Sequence, residues 1–461
     1  MTQHPQLDAS IFKAYDVRGI VDKTLTENAV YWIGRALGAE AEARGEQQIY
    51  VSRDGRLSGP KLIAALTRGL TEAGRDVIDL GMAPTPVLYY AAYELGSGSG
   101  IMITGSHNPP EYNGLKMVLG GTTLSGPDIQ QLRERIESGT LSEGSGSVSE
   151  TDVIQQYISR ITGDVTLTKP MKVIVDCGNG VAGGVAPQLL RELGCEVIEL
   201  FCDVDGNFPN HHPDPSKPEN LADLKQALAE QQADIGLAFD GDGDRLGVLT
   251  PTGNVIWADR QMMLYAQDVL SRNPGAEIIY DIKCTTNLHK IIEQAGGKAT
   301  MWKTGHSFVK AKLKETGAQL AGEMSGHIFF KERWYGFDDA TYTASRLLEI
   351  LSKDGRSADE VFNALPDSIN TPELNMSTEE GENHPLVDRL VSAADFPNAK
   401  ITTIDGLRVD FEDGFGLVRA SNTTPCLVFR FEATSEEALA RIQEDFRTLV
   451  KMQAPEAELP F

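Results

Sequence analysis

Three stretches of the chain repeat one order of apolar and polar positions. Each begins with an apolar run, continues through a helical stretch that ends at a glycine (Gly74, Gly194 and Gly296), and resumes at once with a β-branched run. Glycine just past a helix supplies a left-handed cap, and β-branched runs are typical of strands. Each stretch closes with another apolar run that leads into a polar loop containing glycine. The repeat predicts three similar α/β domains with mixed sheets.

The chain after about residue 367 follows a different pattern. A polar stretch is followed by three apolar runs and by a closing segment with helical spacing, SEEALARIQEDFRTLV. This pattern predicts a smaller α+β domain, so the chain divides at 1–152, 153–254, 255–366 and 367–461. Because ligands bind at loops beyond strand ends, the predicted fold is four domains around a central cleft. The Ser/Gly-rich stretch SGTLSEGSGSVSE, which ends at residue 150, is expected to be a surface loop.

Composition and charge narrow the classes of function. The chain has 461 residues, of which 41% are hydrophobic and 23% charged, which is typical of a globular protein with more than one hydrophobic core. A formal net charge of -24 disfavours nucleic acid and anionic membranes as partners. An acidic protein that handles an anionic substrate must gather its cations in the cleft. Lys and Arg residues near the motifs are therefore candidates for binding an anionic substrate.

The cysteine spacing and the N-terminal residues bear on the cellular location of the protein. The five cysteines are scattered and never spaced as CxxC, which argues against a disulfide framework or a thiolate metal site. The N-terminal residues show no basic region followed by an apolar run, and no apolar stretch approaches the ~20 residues of a membrane span. We expect a cytoplasmic protein.

The string DGDGD, at residues 240–244, is the most informative motif. Asp240, Asp242 and Asp244 alternate, so in an extended loop their carboxylates lie on one side. Three like charges this close repel one another unless a cation neutralises them, and an oxygen-only set suits Mg²⁺. An EF-hand is excluded, since its sixth and twelfth positions would be Arg245 and Pro251 instead of Gly and Glu. The alternative is an Asp/Gly-rich hairpin turn.

The string TGSHNP follows the apolar run GIMI and contains Ser106. A serine at a strand-to-loop turn can be a nucleophile, although the GxSxG elbow of hydrolases is absent. His107 is expected to point away from Ser106, which disfavours a Ser–His dyad. Taken alone the string could equally be a capping turn. The predicted metal nearby favours the nucleophile, because it could activate a phosphoryl group on Ser106.

The string GEMSGH places Glu323 and Ser325 two residues apart, on one side of an extended loop. A carboxylate beside a hydroxyl suits two neighbouring sugar hydroxyls. Taken alone, a plain turn is the stronger interpretation of this string.

The string RASNTTP runs from Arg419 to Pro425 between two predicted strands. It offers a guanidinium, several hydroxyls and an amide, which together suit a phosphate. The alternative is an ordinary hairpin loop.

Together, and in this order, the four strings resemble the α-D-phosphohexomutase family, in its bacterial phosphomannomutase/phosphoglucomutase branch. The strings FKAYDVRG, VSRDGR and KTGH (Lys303–His306) are also similar to family signatures, so the resemblance covers essentially the whole chain. Phosphoglucosamine mutases, a sibling branch, typically carry GEQSGH and an RPSGTEP-type loop, where this chain has GEMSGH and RASNTTP.

The resemblance implies a role for individual residues. Ser106 would be a phosphoserine that shares one Mg²⁺ per chain with Asp240, Asp242 and Asp244. The implied catalytic residues besides Ser106 are Lys116, Arg245 and His327, with Lys116 and His327 as candidate general acid/base groups. The implied substrate contacts are Tyr15, Arg18, Lys283, Gly305, His306, Glu323, Ser325, Arg419, Ser421, Asn422 and Thr423. The last four would hold the phosphate that is not being transferred.

The implied reaction is the reversible conversion of hexose 1-phosphate and hexose 6-phosphate, for mannose and glucose. It would pass through a bound hexose 1,6-bisphosphate, which also acts as activator. The expected partners are phosphosugars, without nucleic acid or membrane, and a monomer is expected. The alternatives are a phosphoglucosamine mutase, a metal-dependent phosphatase that uses the same aspartates, and a non-catalytic sugar-phosphate-binding protein.

Overall fold

The computed structural model describes residues 5–96, 98–422 and 424–461, which form four sheets with flanking helices. The first domain begins with a 3₁₀ helix (Ala9–Ile11). Its strands are β1 (Val17–Ile20), β2 (Gln48–Arg53), β3 (Asp76–Met82), β4 (Gly100–Ile103), β5 (Tyr112–Leu119), β6 (Thr122–Thr123) and β7 (Val148–Glu150). Its helices are α1 (Glu27–Ala43), α2 (Gly59–Glu72), α3 (Thr85–Glu94) and α4 (Pro127–Ser138).

The second and third domains follow with fewer strands. The second contains α5 (Ile154–Thr162), β8 (Lys172–Asp176), α6 (Ala186–Glu192), β9 (Glu196–Leu200), α7 (Ala222–Gln231), β10 (Ile235–Phe239), β11 (Leu246–Leu249) and β12 (Val255–Ile256), with 3₁₀ helices Val181–Gly184 and Pro218–Leu221. The third contains α8 (Ala258–Arg272), β13 (Glu277–Asp281), α9 (Thr286–Gln294), β14 (Lys298–Trp302), α10 (His306–Thr316), β15 (Leu320–Gly322), β16 (Ile328–Phe330), α11 (Ala340–Lys353) and α12 (Ala358–Asn363).

The predicted threefold repeat is present as one sheet topology used three times. The strand orders are β3-β2-β4-β5, β9-β8-β10-β11 and β14-β13-β15-β16. In each, the first three strands are parallel and the fourth pairs antiparallel with the third. The strings TGSHNP, DGDGD and GEMSGH each connect the third strand to the antiparallel fourth. Three equivalent loops therefore emerge at equivalent edges of three sheets.

The C-terminal domain is built differently, as predicted. Its elements are β17 (Ile369–Asn370), β18 (Leu374–Ser377), α13 (Asn383–Ala393), β19 (Lys400–Thr402), β20 (Leu407–Phe411), β21 (Gly414–Ala420), β22 (Cys426–Ala433) and α14 (Glu436–Gln453). The sheet is antiparallel, in the order β17-β22-β21-β20-β19 with β18 also on β22. The string RASNTTP lies in the β21–β22 hairpin.

Part of the Ser/Gly-rich stretch is not a loop, so that expectation is wrong for residues 148–150. These residues form β7, which pairs in parallel with β3. The physical reason lies in the preceding glycines. A Cβ on Gly146 would lie 1.9 Å from Arg75 O, and one on Gly144 would lie 2.6 Å from Gly74 Cα, so only glycine lets the chain approach this closely. The second sheet also reaches Ile256, just beyond the predicted boundary at 254.

The core shows which domains are joined. The largest cluster of buried apolar side chains runs without interruption through the first three domains, for example from Val87 through Val173 to Met262. The C-terminal domain has its own cluster, which includes Leu390, Phe431 and Phe446. Among the described residues no helix is both long enough and apolar enough to cross a membrane.

Candidate active site

The three aspartates of DGDGD converge in the β10–β11 hairpin. Their nearest carboxylate oxygens lie within 4.8 Å of one another, and all three side chains are buried. Asp240 Oδ1 accepts the backbone N–H groups of Gly243, Asp244 and Arg245 at 3.0, 3.1 and 3.1 Å, which folds the loop around this carboxylate. The loop is thus both a hairpin turn and a cluster of carboxylates, so the two interpretations of the string are compatible.

These carboxylates fit a divalent cation. Asp242 Oδ1 and Asp244 Oδ1 are buried and have no hydrogen-bond partner among the described residues. Burial, with Asp242 and Asp244 alongside, raises the pKa of Asp240 above its ordinary value. Unpartnered carboxylate oxygens in a dry site need a compensating charge, and an oxygen-only set suits a hard ion such as Mg²⁺.

Lys116 lies on β5 and reaches the opposite side of the same carboxylates. Its Nζ is 2.7 Å from Asp242 Oδ2 and also contacts Asp244 Oδ2. Burial alone would lower the pKa of Lys116, but these aspartates outweigh it and raise that pKa. Burial alone would raise the pKa of Asp242, but the neighbouring Lys116 outweighs it and lowers that pKa. Lys116 is therefore an ammonium group in this arrangement.

Thr85, at the start of α3, is a contact that the sequence analysis missed. Its Oγ1 donates to Asp242 Oδ2 at 2.6 Å, and its backbone N–H donates to Asp242 O at 2.9 Å. These bonds attach the aspartate loop to the first domain. The only local signal is the PTP string at the start of a helix, which does not specify a partner in another domain.

Ser106 faces the aspartates. Its Oγ lies 3.4 Å from Asp240 Oδ2, and its backbone has the left-handed value φ 50°. A Cβ on Gly241 would lie 2.3 Å from Ser106 O, so glycine is needed where the two loops touch. The loop of Ser106 and the carboxylate cluster therefore form one site between the first two domains.

The expectation that His107 points away from Ser106 is wrong. His107 Nδ1 lies 3.2 Å from Ser106 Oγ. In extended backbone successive side chains alternate, but the left-handed turn at Ser106 brings both side chains to the same side. Burial lowers the pKa of His107 well below its ordinary value, so the ring beside Ser106 is neutral.

Arg245 and His327 connect the second and third domains. Their backbones form an antiparallel bridge, and Arg245 Nε donates to His327 Nε2 at 2.9 Å. Because Nε–H can only donate, Nε2 is the acceptor and the imidazole proton is on Nδ1. That atom lies 3.0 Å from Asp338 Oδ2, and Asp338 Oδ1 accepts from Lys310 Nζ at 2.9 Å. Asp338 and Lys310 were not predicted from the sequence.

A second group of predicted residues meets on the third domain. Glu323 is buried, its Oε1 accepts the Gly305 N–H at 2.5 Å, and burial raises its pKa. The rings of Tyr15 and His306 pack edge to face with centroids 6.0 Å apart, and Asn422 Nδ2 donates to the Tyr15 hydroxyl at 2.9 Å. Residues from the first, third and fourth domains therefore meet here. Ser325 lies on the same turn as Glu323 and is half-buried.

The cations predicted around this group are all engaged with acidic or carbonyl oxygens. Arg419 donates to both oxygens of Asp405 at 3.0 and 3.3 Å. Lys283 Nζ lies 2.6 Å from Glu373 Oε1. Arg18 donates to Thr104 O at 3.0 Å, beside the loop of Ser106.

The structure describes the string RASNTTP except for Thr423. Ser421 Oγ lies 2.9 Å from Thr424 Oγ1, which closes the loop on itself. Thr423, another predicted substrate contact, lies outside the described residues.

The predicted residues thus form two neighbouring groups. The first contains Ser106, Asp240, Asp242, Asp244, Lys116, Arg245 and His327. The second contains Tyr15, Gly305, His306, Glu323 and Asn422. The rings of His306 and His327, with centroids 5.6 Å apart, join the groups into one cleft to which all four domains contribute.

Comparison with known proteins identifies the family. Four family models, described as phosphoglucomutase/phosphomannomutase alpha/beta/alpha domains I, II and III and the C-terminal domain, match residues 9–143, 155–253, 257–369 and 373–449. The chain belongs to the phosphoglucomutase/phosphomannomutase family. This confirms the family, the fold class and the enzyme class predicted from the sequence, an isomerase that moves phosphate within a hexose phosphate.

Relatives in this family are similar over nearly the whole chain. A Pseudomonas aeruginosa protein named phosphomannomutase/phosphoglucomutase is 58% identical over 457 residues, which cover 99% of each chain. A Neisseria meningitidis protein named phosphoglucomutase is 57% identical over 445 residues, or 96% of each chain. The crystal structure of a phosphoglucomutase/phosphomannomutase family protein from Burkholderia thailandensis is 56% identical, with a TM-score of 0.94 over 99% of this chain and 100% of that one.

Proposed function

We propose that this chain interconverts the 1- and 6-phosphates of glucose and mannose through a phosphoserine at Ser106 and a bound hexose 1,6-bisphosphate. The observation that carries the proposal is the position of Ser106 Oγ, 3.4 Å from Asp240 in a buried cluster of three carboxylates. A relative named phosphomannomutase/phosphoglucomutase, 58% identical over nearly the full chain, supports the choice of both sugars.

The roles proposed for the cluster follow from its charges. Asp240, Asp242 and Asp244 would hold one Mg²⁺, which when bound neutralises charge on the phosphoryl group of Ser106. Lys116, as an ammonium, adds a positive charge beside the same oxygens. Positioning and neutralisation of charge are the main requirements of phosphoryl transfer, and this site supplies both.

The reaction consists of two transfers in opposite directions. First, the bond from phosphorus to Ser106 Oγ breaks as a bond to the free hydroxyl of the hexose phosphate forms, and the proton of that hydroxyl passes to a base in the cleft. The bisphosphate then turns over in the cleft. In the second transfer a bond from its other phosphorus to Ser106 Oγ forms as the bond from that phosphorus to the sugar oxygen breaks, and the sugar oxygen takes the proton back from the base. The phosphoserine is restored and the isomeric hexose phosphate is released.

The second group of residues would bind the sugar in both orientations. Glu323 and Ser325 would bind two ring hydroxyls, and the loop of Arg419, Ser421, Asn422 and Thr423 would hold the phosphate that is not transferred. Tyr15, Arg18, Lys283, Gly305 and His306 complete the proposed contacts. No residue in this set is assigned to O2, the position at which glucose and mannose differ, which supports activity on both.

One chain supplies the whole cleft, because all four loops belong to it, so we propose that the monomer is active. All five cysteines lie within the described residues and are free thiols, which supports a cytoplasmic location.

The test is an assay of products. The protein is incubated with Mg²⁺, a trace of glucose 1,6-bisphosphate, and either glucose 1-phosphate or mannose 1-phosphate. We expect glucose 6-phosphate and mannose 6-phosphate as products, with kcat/KM values for the two substrates that differ by about 10-fold at most. A site without a hydrogen bond to O2 distinguishes the two sugars only weakly. Release of inorganic phosphate would indicate a phosphatase instead, and binding without turnover would indicate a binding protein. A preference of about 10⁴-fold would show that an unassigned residue reads O2.

A further inference from the structure

Arg56, in the string VSRDGR, directs its guanidinium at the backbone of the nucleophile loop. Nη1 donates to Pro109 O at 2.5 Å and to Tyr112 O at 3.0 Å. Nη2 donates to Ser106 O at 2.9 Å and to Asn108 O at 2.6 Å. The side chain is fully buried. The loop therefore wraps around one planar cation that serves four carbonyl oxygens.

Asp54 completes this arrangement on the other side of the loop. Its Oδ2 accepts from Arg56 Nε at 3.1 Å, from Gly105 N at 3.1 Å and from Thr104 Oγ1 at 2.8 Å. A Cβ on Gly105 would lie 2.2 Å from Arg56 Cζ, so the loop touches the guanidinium as closely as glycine allows. The arginine and the aspartate together fix the loop immediately before and after Ser106.

The second domain covers Arg56. The ring of Phe208 lies over the guanidinium, with its centroid 5.2 Å from Cζ, and a Cβ on Gly206 would lie 2.8 Å from Arg56 Cα. His212 Nε2 contacts His107 O in the same region. The hydrogen bonds of Arg56 are therefore shielded from water, where they are stronger than at the surface.

The conformation of Ser106 explains why such support is needed. A non-glycine residue with φ 50° is in a disfavoured backbone region, and it persists only where the surroundings determine it fully. This conformation places Oγ beside Asp240 and His107. Without the bond from Arg56 to its carbonyl, Ser106 would be free to relax toward ordinary backbone and to move Oγ away from the carboxylates.

We infer that Arg56 is a positioning residue that holds Ser106 in its reactive conformation through the backbone of residues 106–112. This inference rests on the proposed role of Ser106 as nucleophile. Lysine cannot replace Arg56, because a single ammonium has three donors and no planar fork to serve four carbonyls and a carboxylate. Arg56 contributes nothing to sugar or phosphate binding in this view, so its loss should affect kcat far more than KM.

The test compares Arg56→Lys with Arg346→Lys. Arg346 is equally buried, on α11, and pairs with Asp268 and Glu332 at 3.0 and 2.8 Å, with no described contact to the loop of Ser106. Both variants should lose thermal stability. We expect Arg56→Lys to lower kcat by about 10²-fold, the usual cost of misplacing a reacting group by about 1 Å, with KM for glucose 1-phosphate nearly unchanged. Arg346→Lys should keep kcat within about 3-fold.

Two outcomes would overturn the inference: a kcat for Arg56→Lys within about 3-fold of the wild type, or equal losses of kcat in both variants. If Arg56→Lys does not fold, Asp54→Asn takes its place, and the same loss of kcat is expected. Asp54 accepts from Arg56 N through Oδ1 and from three donors through Oδ2, whereas an amide can accept through only one of its two terminal atoms. Intact-protein mass spectrometry separates this inference from the proposed function. A wild-type protein that never carries phosphate on Ser106 contradicts the function, whereas a phosphorylated Arg56→Lys with normal kcat contradicts only the role of Arg56.

Discussion

The first three domains and the C-terminal domain hold their active-site loops in different ways. The first three share one apolar core, and their loops touch through close contacts such as that between Gly241 and Ser106. The C-terminal domain has a core of its own and meets the third domain through a small apolar cluster of Ile282, Phe415 and Leu417. Buried polar contacts add to it, among them Arg408 Nη1 to Ile282 O at 2.6 Å and to Cys284 O at 2.8 Å, and Arg430 to Asp259 at 3.1 Å. In the proposed function this difference corresponds to a division between the chemistry, at the shared core, and phosphate binding, on a domain with a core of its own.

If this division holds, substitutions in the aspartate loop should have the largest effect on turnover. Asp242→Asn removes one carboxylate charge from a buried cluster in which Asp242 Oδ1 and Asp244 Oδ1 have no hydrogen-bond partner among the described residues. We expect kcat to fall by at least about 10²-fold, comparable to the loss of one electrostatic group in a preorganised site. The fold should survive, because repulsion among the remaining carboxylates decreases. Assays over a range of Mg²⁺ concentration and circular dichroism check this.

The matched control for that variant is Asp223→Asn, which changes an exposed aspartate on α7 of the same domain. It should leave kcat and its Mg²⁺ dependence unchanged. An Asp242→Asn protein with wild-type Mg²⁺ dependence, or a wild type that stays fully active after chelation, would contradict a role of the aspartates in holding a catalytic Mg²⁺.

Lys116→Met should have the next largest effect. It removes the ammonium between Asp242 and Asp244, and loss of a proton-transfer or charge-stabilising group costs about 10²–10⁴ in rate. We expect kcat to fall more than KM rises, with Lys290→Met, at an exposed position on α9, as the control. A change confined to KM would make Lys116 a substrate-binding cation and would weaken the division between the two regions.

Arg419→Lys tests the proposed phosphate binding by the C-terminal domain. A lysine cannot donate in two parallel bonds, so binding of the distal phosphate should weaken. We expect KM to rise by about 10-fold with a smaller change in kcat, whereas Arg389→Lys, at an exposed position on α13, should change neither. A loss of kcat as large as that of Asp242→Asn would show that the C-terminal domain takes part in the chemistry itself.

The smallest expected effect concerns the stability of the shared core. Asp339, at the start of α11, accepts from the Tyr157 hydroxyl at 2.8 and 2.9 Å, and burial raises the pKa of Asp339 to about 7. The folded protein therefore binds this proton more tightly than the unfolded chain. The resulting stability is present below about pH 4 and is lost as the pH rises toward 7.

Asparagine at position 339 keeps the cap of α11 without a charge. Melting temperatures of Asp339→Asn and the wild type, measured between pH 5 and 8, should therefore diverge in favour of the variant as the pH rises. Parallel curves would contradict the raised pKa.

Local patterns were enough to predict one part of this molecule. The repeat of strand, helix, glycine and strand predicted three similar domains, and the alternation in DGDGD predicted a carboxylate cluster, because backbone geometry alone sets these features. The contacts of Thr85, Asp338 and Arg56 were not predictable in the same way. Each joins residues far apart in sequence, so no local spacing marks it. His107 was mispredicted because the left-handed backbone at Ser106 cannot be inferred from a serine in the sequence.

The central claim is that Ser106 carries the transferred phosphate, and intact-protein mass spectrometry tests it most directly. The wild type, Ser106→Ala and Ser138→Ala, the last at an exposed serine on α4, are each incubated with Mg²⁺ and glucose 1,6-bisphosphate. We predict one added phosphate on the wild type and on Ser138→Ala, located at Ser106 by peptide mapping, and none on Ser106→Ala, which should also lose mutase activity. A Ser106→Ala protein that keeps near-normal turnover would contradict the account.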